Sequence, residues 1–123
     1  MLAFLGCILM CFSGVHASEN DVIANDASGI PDRELYRQIL HEMGKSEHEV
    51  ITKREAERKK GLWIPNGGVQ DLTGIGYFCN LTSLKIEDQW HQGANAFTSL
   101  KPLEDLEHLK KLTIDRSWDL ESL

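Results

Sequence analysis

The sequence predicts an α/β solenoid, in which short parallel strands stack on one another and helices close the N-terminal end. Two observations carry this. Between Leu62 and Ile114 an apolar column repeats after 22 residues, and the second copy holds six extra residues. Ahead of that stretch, the chain from Pro31 to Gly61 has the stripe, caps and stops of two helices.

The repeat fixes the first register as Leu62, Ile64, Val69, Leu72, Ile75, Phe78 and Leu81. Leu84 and Ile86 then take the places of Leu62 and Ile64, and Leu112 and Ile114 repeat the pair once more. Phe97, Leu100, Leu103, Leu106 and Leu109 answer Val69, Leu72, Ile75, Phe78 and Leu81. A Leu-x-Ile pair alternates with period two, so both side chains point to one face of a strand. The apolar residues that follow recur every third position. That is too short for an α-helix and fits a 3₁₀-like or irregular return. Each unit is thus one coil that cannot bury its column alone, and stacking supplies the missing cover. A Leu-rich repeat of this length is a leucine-rich repeat signature, here with about 2.5 repeats and a short parallel sheet.

The stretches GVQDLTGIGYFCNLTSLKI (68–86) and TSLKPLEDLEHLKKLTI (98–114) resemble the bacterial leucine-rich repeats of the internalin type. That pattern runs Leu-x-x-Leu-x-x-Leu-x-x-Leu-x-x-Leu-x-Leu. It is filled by Leu72, Ile75, Phe78, Leu81, Leu84 and Ile86, and again by Leu100, Leu103, Leu106, Leu109, Leu112 and Ile114. The resemblance spans residues 30–123. It implies an asparagine ladder beside the strands, for which Asn66 is the candidate in the first unit; the insertion leaves the second unit without an unambiguous equivalent. It also implies that 30–61 is a helical N-terminal cap. A cap answers a physical need, since the first strand, Leu62-Trp63-Ile64, otherwise has an open edge.

The segments follow in order. Residues 1–17 form an apolar run ending Val15-His16-Ala17, a small-residue cleavage pattern, and read as a signal peptide without a Lys or Arg start. The run is too short to span a bilayer. Residues 18–29 are polar and acidic and read as a flexible spacer, with ordered structure beginning at Ile30. A helix is expected over 31–45, with Pro31 in its first turn, Asp32 at its N-terminal end, and Leu35, Ile39 and Met43 as its stripe. Gly44 should stop it. A second helix starts with the capping-box pattern Thr52-x-x-Glu55 and ends at Gly61. Residues 62–123 are the repeats, incomplete at the C-terminal end, where Leu120 and Leu123 only begin a third return.

Composition narrows the functional classes. The chain has 123 residues, 41% of them apolar, and a formal charge of −6, which suits one small domain and argues against nucleic acid. Its dense basic run, Lys53 to Lys60, is interleaved with acids and reads as a solvated helix face. Past the signal segment Cys79 is the only thiol, expected as a partly buried turn residue. The histidines at 41, 48, 91 and 108 lack metal-ligand spacing, and no metal or cofactor is expected. Asn80-Leu-Thr82 fits a glycosylation acceptor but also the repeat's own Asn-Leu-Thr position.

Surface remains. The residues alternating with the buried pairs should face the concave side: Gly61, Trp63, Pro65; Ser83, Lys85, Glu87; Lys111, Thr113, Asp115. Trp63 is either an exposed anchor or is shielded by the cap. The insertion within 87–96, with Trp90 and His91, should project at one rim as a loop on a rigid scaffold, or Trp90 folds back as local packing. The expected role is non-catalytic recognition of a protein ligand, for instance one at a cell surface, through Trp63, Lys85, Glu87, Trp90, His91, Lys111, Thr113 and Asp115. The expected location is secreted, cell-surface or periplasmic, with pairing through the C-terminal sheet edge as a further expectation. Two alternatives stand beside it: a truncated remnant of a longer repeat protein, and a secreted hydrolase, which would need Glu87, Asp88, His91 and Asp115 to converge.

Overall fold

The structure, a computed structural model, describes residues 19–88 and 95–115. The expected signal segment 1–17, Trp90 and His91 of the rim loop, and the tail with Leu120 and Leu123 lie outside the described residues.

Ordered chain begins before Ile30. A 3₁₀ turn at Glu19–Asp21 leads into β1 (Val22–Ile23), which pairs antiparallel with β2 (Ile51–Thr52). The spacer reading therefore fails over 22–30: Ile23 and Ile30 are both fully buried. The cause is non-local. The Tyr36 hydroxyl donates to Ile23 O at 2.7 Å and accepts from Ile51 N at 3.1 Å, satisfying backbone groups on both strands at once. Two isolated apolar residues in a polar run gave no periodic signal of this.

Helix α1 (Arg33–Glu42) is shorter than expected at both ends, and Pro31 lies ahead of its cap rather than inside its first turn. Asp32 is the N-cap, with one carboxylate oxygen accepting from Leu35 N at 2.9 Å. Its other oxygen accepts from Gln70 N and Asp71 N, at 2.7 and 2.9 Å. One side chain thus starts the helix and fastens it to the first coil. At the far end Gly44 has φ +74°, Gly44 N donates to His41 O and Lys45 N to Leu40 O. This is a Schellman ending, in which glycine tolerates the left-handed φ. Helix α2 (Lys53–Arg58) starts with the expected reciprocal capping box between Thr52 and Glu55 and ends three residues before Gly61. Ala56 is its one buried residue.

Strands β3 (Gly61–Ile64), β4 (Ser83–Ile86) and β5 (Lys111–Ile114) form a parallel sheet in that order. The register places Leu62 beside Leu84 beside Leu112, and Ile64 beside Ile86 beside Ile114. The period-three returns contain 3₁₀ turns at Ile75–Tyr77 and Lys101–Leu103. Val69, Leu72, Ile75, Phe78 and Leu81 are all fully buried and merge with α1 residues Leu35, Ile39 and Leu40 into one core. Gly74, at φ +94°, lets the coils meet the N-terminal chain closely. A Cβ there would sit 2.5 Å from Gly29 O and 2.6 Å from an Ile30 side-chain carbon.

Candidate functional site

The sheet has one face on the core and one face open. Leu62, Ile64, Leu84 and Ile86 point inward and are buried. Trp63, Lys85 and Thr113 stand side by side on the opposite face, with Gly61, Ser83 and Lys111 one step before them in register. Glu87 and Asp115 follow directly after β4 and β5; Glu87 N and Asp115 N donate to Ile64 O and Ile86 O.

Trp63 is the large side chain of this face. It is 39% exposed, so the cap does not cover it. Its ring is held on two sides. The indole Nε1 donates to Glu87 Oε1 at 2.9 Å, and the Lys85 ammonium lies 6.0 Å from the ring centroid. Lys85 also reaches Glu87 Oε2 at 3.5 Å. The three groups therefore fix one another. Each contact is individually small: an exposed cation–π pair contributes about 0.5–1 kcal/mol and a surface ion pair about 0–1 kcal/mol. Their combined effect is orientation. The aromatic surface is presented in one pose, with its polar N–H already satisfied.

Beside Trp63 the wall of α1 leaves a hollow of about 320 Å³ lined by Gln38, His41, Glu42, Trp63, Pro65 and Asn66. Glu42 is partly neutralised there by Lys59, 3.8 Å away. A larger, open hollow of about 580 Å³ lies between the convex returns, against Leu72, Thr73, Phe97 and Pro102. It gathers no cluster of chemical groups and is remote from Trp63 in the fold, so its size carries less weight than the arrangement around the indole.

The structure brings Trp63, Lys85 and Glu87 into one cluster. Lys111, Thr113 and Asp115 share the face but extend it along β5 as exposed residues. Trp90 and His91 lie outside the described residues. Among the described residues no group of three or more His, Cys, Asp or Glu could hold a metal ion. Cys79 is exposed rather than partly buried, because the turn after Phe78 points it outward. The Asn80 amide donates to Glu57 O at 2.8 Å, which gives that side chain a structural use.

One positioning residue was missed from the sequence. Asn95 is fully buried. Its Oδ1 accepts from Val69 N at 3.1 Å, and its Nδ2 donates to Glu87 O and Asp115 O, both at 3.2 Å. It therefore ties the rim of β4 to the coil before and the strand after, as a ladder asparagine would. The six extra residues hide it when one counts forward from Ile86; counting back from Phe97 finds it. In the cap Gln38 does the equivalent work. Its Oε1 accepts from Asn66 N at 2.9 Å and its Nε2 donates to Gly67 O at 2.8 Å. Asn66 itself contributes its backbone there and a bridge to Asp88.

No protein-family model matches the chain, and no curated protein does. Solved structures do. An internalin from Listeria monocytogenes matches over 76% of this chain, with 27% identity and a TM-score of 0.61. The fold is leucine-rich-repeat-like. Two structures containing the CBM51-2 and INT domains of Clostridium perfringens ZmpB match over 80% of the chain at 30% identity, with TM-scores of 0.58 and 0.57. This chain spans 29% of the matched internalin and 18% of each ZmpB chain. Among the described residues no helix of this leucine-rich-repeat-like chain is long and apolar enough to cross a membrane.

Proposed function

We propose that the chain is a secreted or cell-surface leucine-rich-repeat solenoid that recognises a protein ligand without catalysis. Residues 30–61, joined by β1, act as its N-terminal cap and the coils from 62 onward carry the binding face. One observation carries this reading: Trp63 stands half-exposed on the open sheet face and is held in a single pose by Glu87 and Lys85. A pre-oriented indole loses little freedom on binding, and buried Trp residues dominate many interface energies. The internalin likeness supports a protein as the ligand class, and the apolar run closing with Val15-His16-Ala17 supports export. Thr113 and the 87–96 rim, with Trp90 and His91, complete the recognition surface, with Lys111 and Asp115 at its β5 end.

The test is retention of proteins from a cell-surface extract on the immobilised chain, comparing wild type with Trp63→Ala and with Arg54→Ala on the opposite side of the cap. A ligand held by wild type and Arg54→Ala should fall at least about tenfold on Trp63→Ala, the loss expected of an interface anchor. Equal retention by all three would remove Trp63 and the concave face from the binding role.

A further inference from the structure

The outer edge of β5 has the chemistry to pair with a second copy of itself. Lys111 N and Asp115 N both donate inward, to Thr82 O and Ile86 O. Alternate residues of a strand aim their backbone groups to the same side, so Thr113 also faces β4. Leu112 and Ile114 must then turn their N–H and C=O outward, where no strand pairs with them among the described residues. Such an edge is a ready template for another strand.

The side chains choose the register. In an antiparallel self-pair centred on Thr113, Lys111 stands opposite Asp115 of the second copy, and the symmetry makes this contact twice. Leu112 stands opposite Ile114 on the core side, and Thr113 opposite Thr113. Moving the centre by one residue either way breaks the charge match. The backbone agrees with this choice. The outward groups of Leu112 and Ile114 meet as a reciprocally hydrogen-bonded pair, which leaves Thr113 at the closely spaced, non-bonded position. Neither the Lys111 ammonium nor the Asp115 carboxylate has a side-chain partner among the described residues, and Leu112 is 44% exposed.

We infer that two copies of this chain join through β5, in antiparallel register about Thr113, into one six-stranded sheet. The two concave faces become continuous. The Trp63 strands lie at its outer ends, five strand spacings or roughly 24 Å apart. This goes beyond the ligand reading and does not depend on what Trp63 contacts.

The experiment is sedimentation equilibrium of the full chain across roughly 10–200 µM, a range that brackets the affinity of a small interface. Four forms are compared: wild type, Lys111→Asp, Asp115→Lys and the double exchange. Circular dichroism confirms that each is folded. Wild type should dimerise. Each single exchange places like charges opposite one another twice and should weaken the dimer by roughly tenfold. The double exchange restores opposite charges and should restore the dimer. A monomeric wild type overturns the proposal, as does a dimer that ignores the charge exchanges. Either result leaves the Trp63 reading standing.

Discussion

The first and third strands carry the same column and live in different surroundings. Leu62 and Leu84 are 2% and 1% exposed, whereas Leu112, in the same register, is 44% exposed. The returns follow the same trend: Leu81 is fully buried and its counterpart Leu109 only partly so. The difference is one of neighbours. The first coil lies between α1 and the second coil, and the second coil has a described neighbour on one side only. In a stacked fold, stability is close to a sum of unit and interface terms, so identical residues count differently by position. The period of a sequence reveals which side chains face the core; the number of neighbours decides how far they are buried.

The most direct way to break this comparison is to truncate the same residue at two places in one column. Leu84→Ala should cost about 3–4 kcal/mol, as a fully buried leucine does, and Leu112→Ala under about 1 kcal/mol. Urea unfolding of the two variants measures both, at a protein concentration low enough to keep β5 unpaired. Comparable losses would mean that Leu112 is as deeply packed as Leu84 in solution, and the gradient along the stack would be gone.

A smaller effect sharpens the same contrast at the rim. Asn95→Leu leaves Val69 N–H without its side-chain acceptor and frees two carbonyls, for a loss of about 2 kcal/mol. Because Nδ2 reaches both Glu87 O and Asp115 O, the substitution should loosen the β4–β5 rim more than β3. Amide exchange would show this as faster exchange at Asp115 than at Glu87, whose N–H is bonded to Ile64 O. Uniform acceleration across all three strands would contradict a local ladder role.

The legible parts of this fold were those set by short-range rules. The pairing of Leu62, Leu84 and Leu112 follows from counting, the 3₁₀ returns from period three, and the Thr52–Glu55 capping box from a four-residue pattern. The parts that escaped depend on distant partners. Val22–Ile23 becomes a strand because Tyr36, 13 residues beyond Ile23, supplies a hydroxyl to its backbone. Asp32 reads as a helix cap, but its second bond joins residues 38 and 39 positions away. At the site, sequence alternation placed Trp63, Lys85 and Glu87 on one face, yet the indole–carboxylate bond that orients them spans 24 residues and has no local signature.

The smallest expected effect acts on the cap alone and so separates the two ends of the molecule. Burial pushes the Glu55 carboxyl up, but the Lys45 ammonium and the amide and side chain of Thr52 outweigh it and hold the group below its ordinary value. A carboxyl depressed in the folded state stabilises above its unfolded pKa, and that stabilisation is lost as pH falls through the folded value. The cap should therefore weaken as acid is taken below about pH 4.5, while β4 and β5, which do not contact this group, lose nothing through it. Glu55 is partly solvated, so the effect is no more than about 1 kcal/mol, the usual range for a cap contact. Glu55→Gln should lower stability at neutral pH and flatten that part of the acid dependence. Measured by amide exchange, the acid-sensitive signal should appear at Ile51 and Thr52 and vanish in the variant. If it appears equally at Leu84 and Leu112, the cap and the coils open as one unit, and the two ends of the stack differ in burial without differing in local stability.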